Sequence, residues 1–181
     1  MKPQPEFSRG VRLETLGAAP REMDIEADAQ ERAALAKRFA LEAIGRLGAR
    51  VALARSGETV TATGKLSAEV TQSCVATGEP VPAALDESFT ILFRPEPQAG
   101  DGDDIELSED ECDTVFYDGA TIDIGEAVAE TLSLALDPWP RSPHAEAALK
   151  AEGVLTQEEA EAREAAAKAT RSPFAALKGK D

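Results

Sequence analysis

The chain has 181 residues, which is enough for one domain with a single hydrophobic core and an extension. Its formal net charge of −15 repels the phosphate backbone of nucleic acids and anionic membranes, so the composition argues against a broad RNA-binding surface and favours a basic protein partner. Acidity that only keeps the protein soluble is the alternative explanation.

The cysteine content and the lack of long apolar runs indicate a cytoplasmic protein. Two cysteines, Cys74 and Cys112, are too few for a disulfide framework and fit a reducing cytosol. The polar residues 1–12 contain no apolar run of signal-peptide length. No stretch approaches the roughly 18 consecutive apolar residues that span a bilayer. We therefore expect a soluble, cytoplasmic chain with no membrane partner.

The first part of the chain predicts two short strands and a helix. Alternating apolar residues predict one strand within residues 7–16 and another over residues 23–27. Asp28 is a typical helix N-cap, and Glu31 three residues later completes a capping-box pattern. We therefore expect a helix over residues 29–39.

A long β-hairpin is the strongest pattern in the sequence. Apolar and polar residues alternate over residues 47–53 and again over residues 60–70, and Ser56-Gly57-Glu58 between them predicts a turn. Gly64 in the middle of the second strand indicates a bulge or the close approach of another backbone. The same alternation predicts a further strand over residues 89–93.

The segment after this strand is strongly acidic. Residues 96–113 contain nine acidic side chains and no Lys or Arg, and their mutual repulsion predicts a mobile loop. Residues 115–122 then predict a small hairpin around Asp118-Gly119, because Asp-Gly favours the positive φ angles of a tight turn.

A second helix is predicted over residues 124–136. Asp123 is its N-cap, Glu126 occupies the capping-box position, and Pro138 ends it because proline cannot donate a helical hydrogen bond. Farther along, residues 156–169 form an Ala/Glu/Lys run without a broad apolar face, which predicts a solvated helix or a partly ordered tail.

The candidate chemical sites are weak. The run from Asp101 to Cys112 has partial EF-hand spacing but lacks the required residue at three positions. Cys74 falls on the inward side of the hairpin, which is typical of a small buried residue. His144, the only histidine, has no partner spacing for a zinc site or a catalytic dyad. A pair of carboxylates acting as acid and base stays open. We expect no metal and no cofactor.

A proline-rich segment surrounds the single tryptophan. Residues 137–143 place Trp139 among three prolines and next to Arg141, and a rigid backbone with one aromatic ring and one cation suits contact with a partner. Alternatively, Trp139 folds back and seals the core with one edge in water. The apolar patch around Phe174 docks either on another molecule or on the same domain.

Several segments together resemble one known family. Gln72-Ser-Cys74-Val-Ala-Thr77-Gly-Glu79-Pro80-Val81 follows the long hairpin and precedes Phe89-x-Ile91-x-Phe93 and the acidic loop. In residues 122–141 an acid-capped helix runs into a Leu-x-Leu and Pro-aromatic-Pro-Arg exit, and the chain ends with Pro173-Phe174-Ala175-Ala176-Leu177. These segments resemble the YceD-like family, over roughly residues 7–143 plus the terminus. Where family members often carry a Cys-x-x-Cys-Leu element, this chain has only Cys74.

The resemblance implies a role in the accumulation of large-subunit ribosomal RNA and in ribosome assembly. It implies no catalytic activity, so we expect a monomeric, non-catalytic factor that binds a large-subunit ribosomal protein or a pre-ribosomal particle. A holdase for a basic ribosomal protein and a carboxylate- or metal-dependent hydrolase are the alternatives. Because of the acidity, direct RNA contact is limited to a small patch. The predicted partner-binding residues are Arg50, Arg55, Lys65, Trp139, Arg141 and Phe174. Strand parity predicts that Arg50, Arg55 and Lys65 lie on the outward faces of the hairpin.

The predicted fold class is α+β. We expect a mostly antiparallel, strongly bent sheet, barrel- or sandwich-like, packed by the helices over residues 29–39 and 124–136. Residues 1–143 form this domain. Residues 144–181 form an Ala/Glu-rich tail that is helical or partly disordered.

Overall fold

Three long strands dominate the computed structural model, which describes residues 5–97 and 113–171. The strands are β1 (Gly10–Arg12), β2 (Arg21–Glu26), β3 (Ala43–Ser56), β4 (Thr59–Ser73), β5 (Pro80–Pro95), β6 (Thr114–Tyr117) and β7 (Thr121–Asp123). The helices are α1 (Ala29–Arg38), α2 (Ile124–Ala135), α3 (Ala145–Ala151) and α4 (Gln157–Arg171), and Leu13–Thr15 form one 3-10 turn. This is the predicted α+β class, with a helical tail in its described part.

The predicted hairpin is the centre of the fold. β3 and β4 pair antiparallel along their whole length, with Arg50 opposite Lys65. The positions that alternate in sequence point to one face and are fully buried there, including Leu47, Val51, Leu53, Val60 and Leu66. The chain turns between the two strands at Gly57, whose φ is +62°. The alternation of apolar residues thus predicted both strands and their buried face.

The sheet is open, so the barrel alternative is not supported. Its strand order is β2-β3-β4-β5-β6, with β2 and β6 as its edges. All pairs are antiparallel except β5 with β6, which is parallel. α1 packs against β3, and α2 packs against β4 and β5. The two predicted packing helices are therefore confirmed.

The predicted hairpin over residues 115–122 is wrong. Gly119 has the expected positive φ of +83°. However, β6 pairs with β5 in the large sheet, whereas β7 pairs with β1 in a separate two-stranded sheet. The turn at Asp118-Gly119 was predicted correctly, because its signal lies in the two residues themselves. The strands that pair with β6 and β7 lie elsewhere in the chain. The strand predicted within residues 7–16 is also shorter, because the 3-10 turn interrupts it.

The helix caps follow the sequence closely. Asp28 and Glu31 form the reciprocal capping box of α1. Asp123 caps α2 by accepting from the backbone N–H groups of residues 125 and 126, at 3.0 and 3.2 Å. The Glu126 side chain is instead bound by Arg38, at 2.8 Å. Among the described residues, no helix is long and apolar enough to cross a lipid bilayer.

Candidate functional site

Two loops that are far apart in sequence lie against each other beside the sheet. The first, residues 72–79, runs from the end of β4 to the start of β5, and the second, residues 137–142, follows α2. The Gln72 side chain donates to the carbonyl of Asp137, and the backbone N–H of Val75 donates to the carbonyl of Pro140, both at 2.9 Å. We call these two loops together the junction. It joins the two segments on which the family resemblance mainly rests.

The interior of the junction is a small polar cluster. The Ser142 hydroxyl donates to the Glu79 carboxylate at 2.6 Å, and the Thr77 hydroxyl donates to the same oxygen at 3.1 Å. These two hydroxyls, Ser142 first, lower the pKa of Glu79. The backbone N–H of Ser142 donates to the Cys74 sulfur at 3.2 Å. Cys74 and Ser142 are only 3% and 7% exposed, so water competes little for these hydrogen bonds. The bonds therefore hold the two loops together.

The stability of the protein is expected to rise with pH because of Cys74. The backbone N–H of Ser142 is the main cause that lowers the pKa of the Cys74 thiol from 9.0 to about 6. Between these two values the unfolded chain holds a proton that the folded chain has lost, so folding is favoured increasingly as pH rises. Thermal unfolding between pH 6 and pH 9 checks this.

The matched comparison uses two serine variants. Cys74→Ser has no titrating thiol at this position and is expected to lose most of the rise in Tm, whereas Cys112→Ser is expected to keep it. Equal pH profiles for wild type and Cys74→Ser would show that the thiol keeps its ordinary pKa in the folded protein.

The outer side of the junction carries exposed apolar surface. Trp139 is 71% exposed and Val75 is 52% exposed, and Arg141 is also exposed. The backbone N–H of Trp139 donates to the Asp137 carboxylate at 2.9 Å, which fixes the loop that presents the ring. The alternative in which Trp139 seals the core is therefore wrong. Its role in partner binding stays a prediction.

The predicted basic residues are placed in three different surroundings. Arg50 and Lys65 lie side by side on the outer face of the sheet, but Arg50 pairs with Asp24 at 2.8 Å and Lys65 with Asp86 at 3.4 Å. Arg55 lies opposite the fully buried Val60, so its predicted outward placement is wrong. It donates to the backbone carbonyls of residues 13 and 57, both at 2.9 Å. Arg141 belongs to the junction, and Phe174 lies outside the described residues. The structure thus brings Arg50 and Lys65 together and leaves the other two apart.

A groove between α2 and the sheet was not predicted from the sequence. The groove has a volume of about 650 Å³ and is lined mainly by β5, the start of β6 and the outer side of α2. Leu134 on its wall is 83% exposed. The available signal was that Leu134 lies off the stripe of Ile124, Val128 and Leu132 that packs α2 on the core.

The described residues contain no group of three or more His, Cys, Asp or Glu side chains placed to hold a metal ion. The run with partial EF-hand spacing, Asp101 to Cys112, lies outside the described residues.

The chain is an acidic α+β protein in which two loops are joined by hydrogen bonds and expose Trp139. A family model described as "Large ribosomal RNA subunit accumulation protein YceD" matches residues 62–179, which is more than half of the chain. The chain therefore belongs to the YceD family, which confirms the resemblance. No curated protein and no solved structure matches the chain.

The matched region includes both loops of the junction and all of α2. It begins within β4, so β1 to β3 and α1 lie before it. The family description links this chain to the accumulation of large-subunit ribosomal RNA. The division into a domain over residues 1–143 and a tail over residues 144–181 stays a prediction.

Proposed function

We propose that the chain is a non-catalytic factor that supports large-subunit ribosomal RNA accumulation by binding a ribosomal protein or a pre-ribosomal particle. Family membership supplies the link to ribosomal RNA. The single observation that carries the binding role is the junction, in which two segments of the matched region hold each other and leave Trp139 71% exposed. An exposed tryptophan on a fixed loop is typical of residues that dominate binding energy.

The chemistry of the junction favours a scaffold over a catalyst. Glu79 and the hydroxyls of Thr77 and Ser142 are engaged with one another, and the Cys74 sulfur is buried against the Ser142 N–H. Within the described residues, every buried side-chain nitrogen and oxygen has a hydrogen-bond partner. A cluster with its polar groups satisfied fixes a loop conformation.

The charge distribution favours a protein partner over direct RNA binding. The net charge is −15, and the two cations that lie together, Arg50 and Lys65, are each paired with a carboxylate. RNA binding at this face requires both pairs to break and the nearby carboxylates to approach phosphate. A basic ribosomal protein meets a complementary surface instead. We propose that the chain acts in the cytoplasm as a monomer.

Affinity purification from the native cells tests this proposal. The tagged wild-type chain is expected to enrich large-subunit over small-subunit ribosomal RNA. After nuclease treatment, a large-subunit ribosomal protein is expected to stay bound. Trp139→Ser is expected to reduce that protein by at least about tenfold, because exposed aromatic anchors carry much of an interface's energy. Val75→Ser, which removes the adjoining exposed apolar side chain, is expected to reduce it to a smaller extent.

Phe116→Ser is the matched control, since Phe116 is 48% exposed, similar to Val75, but lies on β6 and not in the junction. This variant is expected to purify the same material as wild type. Enrichment of neither ribosomal RNA nor ribosomal protein by the wild-type chain would contradict the proposal.

A further inference from the structure

Among the residues that the structure describes, one side of β5 is largely unpaired. β5 pairs with β4 from Pro80 to Phe93, but it pairs with β6 only from Leu92 to Pro95. In the described part of the chain, residues 80–91 therefore have one strand neighbour and not two. Such an edge presents backbone N–H and C=O groups that another strand can bind.

One hydrogen bond shows which residues of β5 point their backbone N–H and C=O groups toward the unpaired edge. The N–H of Leu92 donates to the carbonyl of Asp113 at 2.9 Å, on the side away from β4. The β4–β5 register has no shift, so every second residue faces the same side. The backbone groups of Ala84, Asp86, Ser88 and Thr90 thus face the open edge. Toward the start of β5, Pro80 and Pro82 have no N–H to offer and limit the edge.

The groove between α2 and the sheet runs along this same edge. Phe89 and Ile91 of β5 contribute one wall, and Leu134 of α2 contributes the other. A strand added beside β5 places alternate side chains on the groove side of the sheet. The exposed Leu134 side chain, at 83%, and the partly buried Phe89 ring are the apolar surfaces that such side chains meet.

The charge of the groove is of one sign. Glu87, Asp113 and Glu130 line it, and its described lining residues include no Lys or Arg. The pKa of Glu130 is raised, first by loss of hydration and then by the neighbouring Glu126, and Arg38, which pairs with Glu126, offsets this only in part. A cation at this wall relieves that repulsion. The lining therefore complements a positively charged segment with alternating apolar residues.

We infer that the open edge of β5 and the groove beneath α2 take up an extended segment of a protein, carrying Lys or Arg alternating with apolar residues, as an added strand. The edge from Ala84 to Thr90 accommodates a segment of about six residues. Backbone hydrogen bonds hold the segment, and the carboxylates select its charge. The identity of the protein that supplies this segment, a basic ribosomal protein, rests on the proposed function. The binding of the segment is tested independently on the purified chain.

The test uses a labelled peptide of about ten residues in which Val and Lys alternate, with fluorescence anisotropy as the readout. The full-length wild-type chain is expected to bind it saturably, and more weakly as salt increases. Glu87→Lys combined with Glu130→Lys is expected to weaken binding at least about tenfold. Glu146→Lys combined with Glu161→Lys changes the net charge by the same amount at exposed sites on α3 and α4. This double variant is the control and is expected to change little.

Two changes to the peptide test strand addition without altering the protein. A peptide with alternating Val and Glu is expected not to bind. A Val/Lys peptide methylated at every backbone nitrogen is expected to bind at least about tenfold more weakly, because neither of its edges can donate to β5. No saturable binding of the Val/Lys peptide, equal binding of the methylated one, or equal binding by the charge-reversed protein would overturn the inference.

The outcome is separate from that of the proposed function. Trp139→Ser is expected to bind the peptide like wild type, because Trp139 does not line the groove. If the peptide fails to bind while the tagged chain still captures a ribosomal protein, only the groove assignment fails. If the peptide binds and ribosomal material is not captured, the groove stands and the proposed function fails.

Discussion

Gly64→Ala is expected to lower the free energy of unfolding by about 3 kcal/mol, at the upper end of the cost of overpacking. A Cβ atom at this position lies 2.6 Å from the Arg50 carbonyl oxygen and 2.7 Å from the Phe89 ring. The ring could turn aside, but the carbonyl belongs to the neighbouring strand β3 and is fixed by the sheet. The expected fall in Tm is about 10 °C for a chain of this size.

Chemical denaturation of the two proteins measures this difference. Gly17→Ala is the matched control, since a Cβ there meets nothing within 4 Å. That variant is expected to be as stable as wild type or slightly more stable, because alanine restricts the unfolded chain. A Gly64→Ala protein as stable as the control would mean that β3 and β4 lie farther apart at this point than described.

Gly125→Ala is expected to destabilise the protein to a similar extent, also by about 3 kcal/mol. Alanine in a helix normally stabilises it by about 1 kcal/mol relative to glycine. Here a Cβ lies 2.5 Å from the carbonyl oxygen of Phe7 and 2.9 Å from the backbone nitrogen of Arg9. The N-terminal segment crosses α2 at this point, with Phe7 fully buried.

The clash displaces contacts that hold this segment in place. The backbone N–H of Arg9 donates to the Asp123 carboxylate at 2.8 Å, and the N–H of Ile124 donates to the Arg9 carbonyl at 3.1 Å. Ser133→Ala, an exposed substitution in the same helix, is the control and is expected to be neutral or slightly stabilising. Thermal unfolding compares the two variants. A stabilising effect of Gly125→Ala would show that the N-terminal segment does not pack on α2.

The sequence predicted those parts of the fold whose signals are local. Alternation of apolar residues predicted β3 and β4 and their buried face, and the N-caps Asp28 and Asp123 fixed where α1 and α2 begin. Gly64 was singled out because a glycine inside a strand needs a reason, and the close approach of Arg50 and Phe89 supplies it. In each case the sequence pattern that supported the prediction lies within a few residues, although the atoms that approach Gly64 belong to the neighbouring strands.

Features that depend on distant partners were not predictable in this way. The Asp118-Gly119 turn was correct, but the partners of β6 and β7 lie in β5 and β1. Gly125 looked like an ordinary residue of a helical pattern, because the Phe7 backbone that needs the space is more than a hundred positions away. Pairing over such distances is decided by packing of the whole chain.

In the candidate site, too, local features were predicted and contacts between distant residues were not. Strand parity placed Arg50 and Lys65 on the outer face, but it could not show that Asp24 and Asp86 pair with them. The sequence drew attention to both loops of the junction, yet their contact through Gln72 and Ser142 appears only in three dimensions. The groove was missed because its acidic lining comes from β5, α2 and the residue before β6.

The ratio of large-subunit to small-subunit ribosomal RNA, measured in cells that lack the gene, tests the central claim most directly. Expression of the wild-type chain is expected to restore the ratio, and so is expression of Phe116→Ser. The double variant Val75→Ser with Trp139→Ser, shown to be folded by its thermal unfolding, is expected not to restore it. Full restoration by the double variant would contradict a role for the junction. An unchanged ratio in the cells without the gene would contradict the proposed function itself.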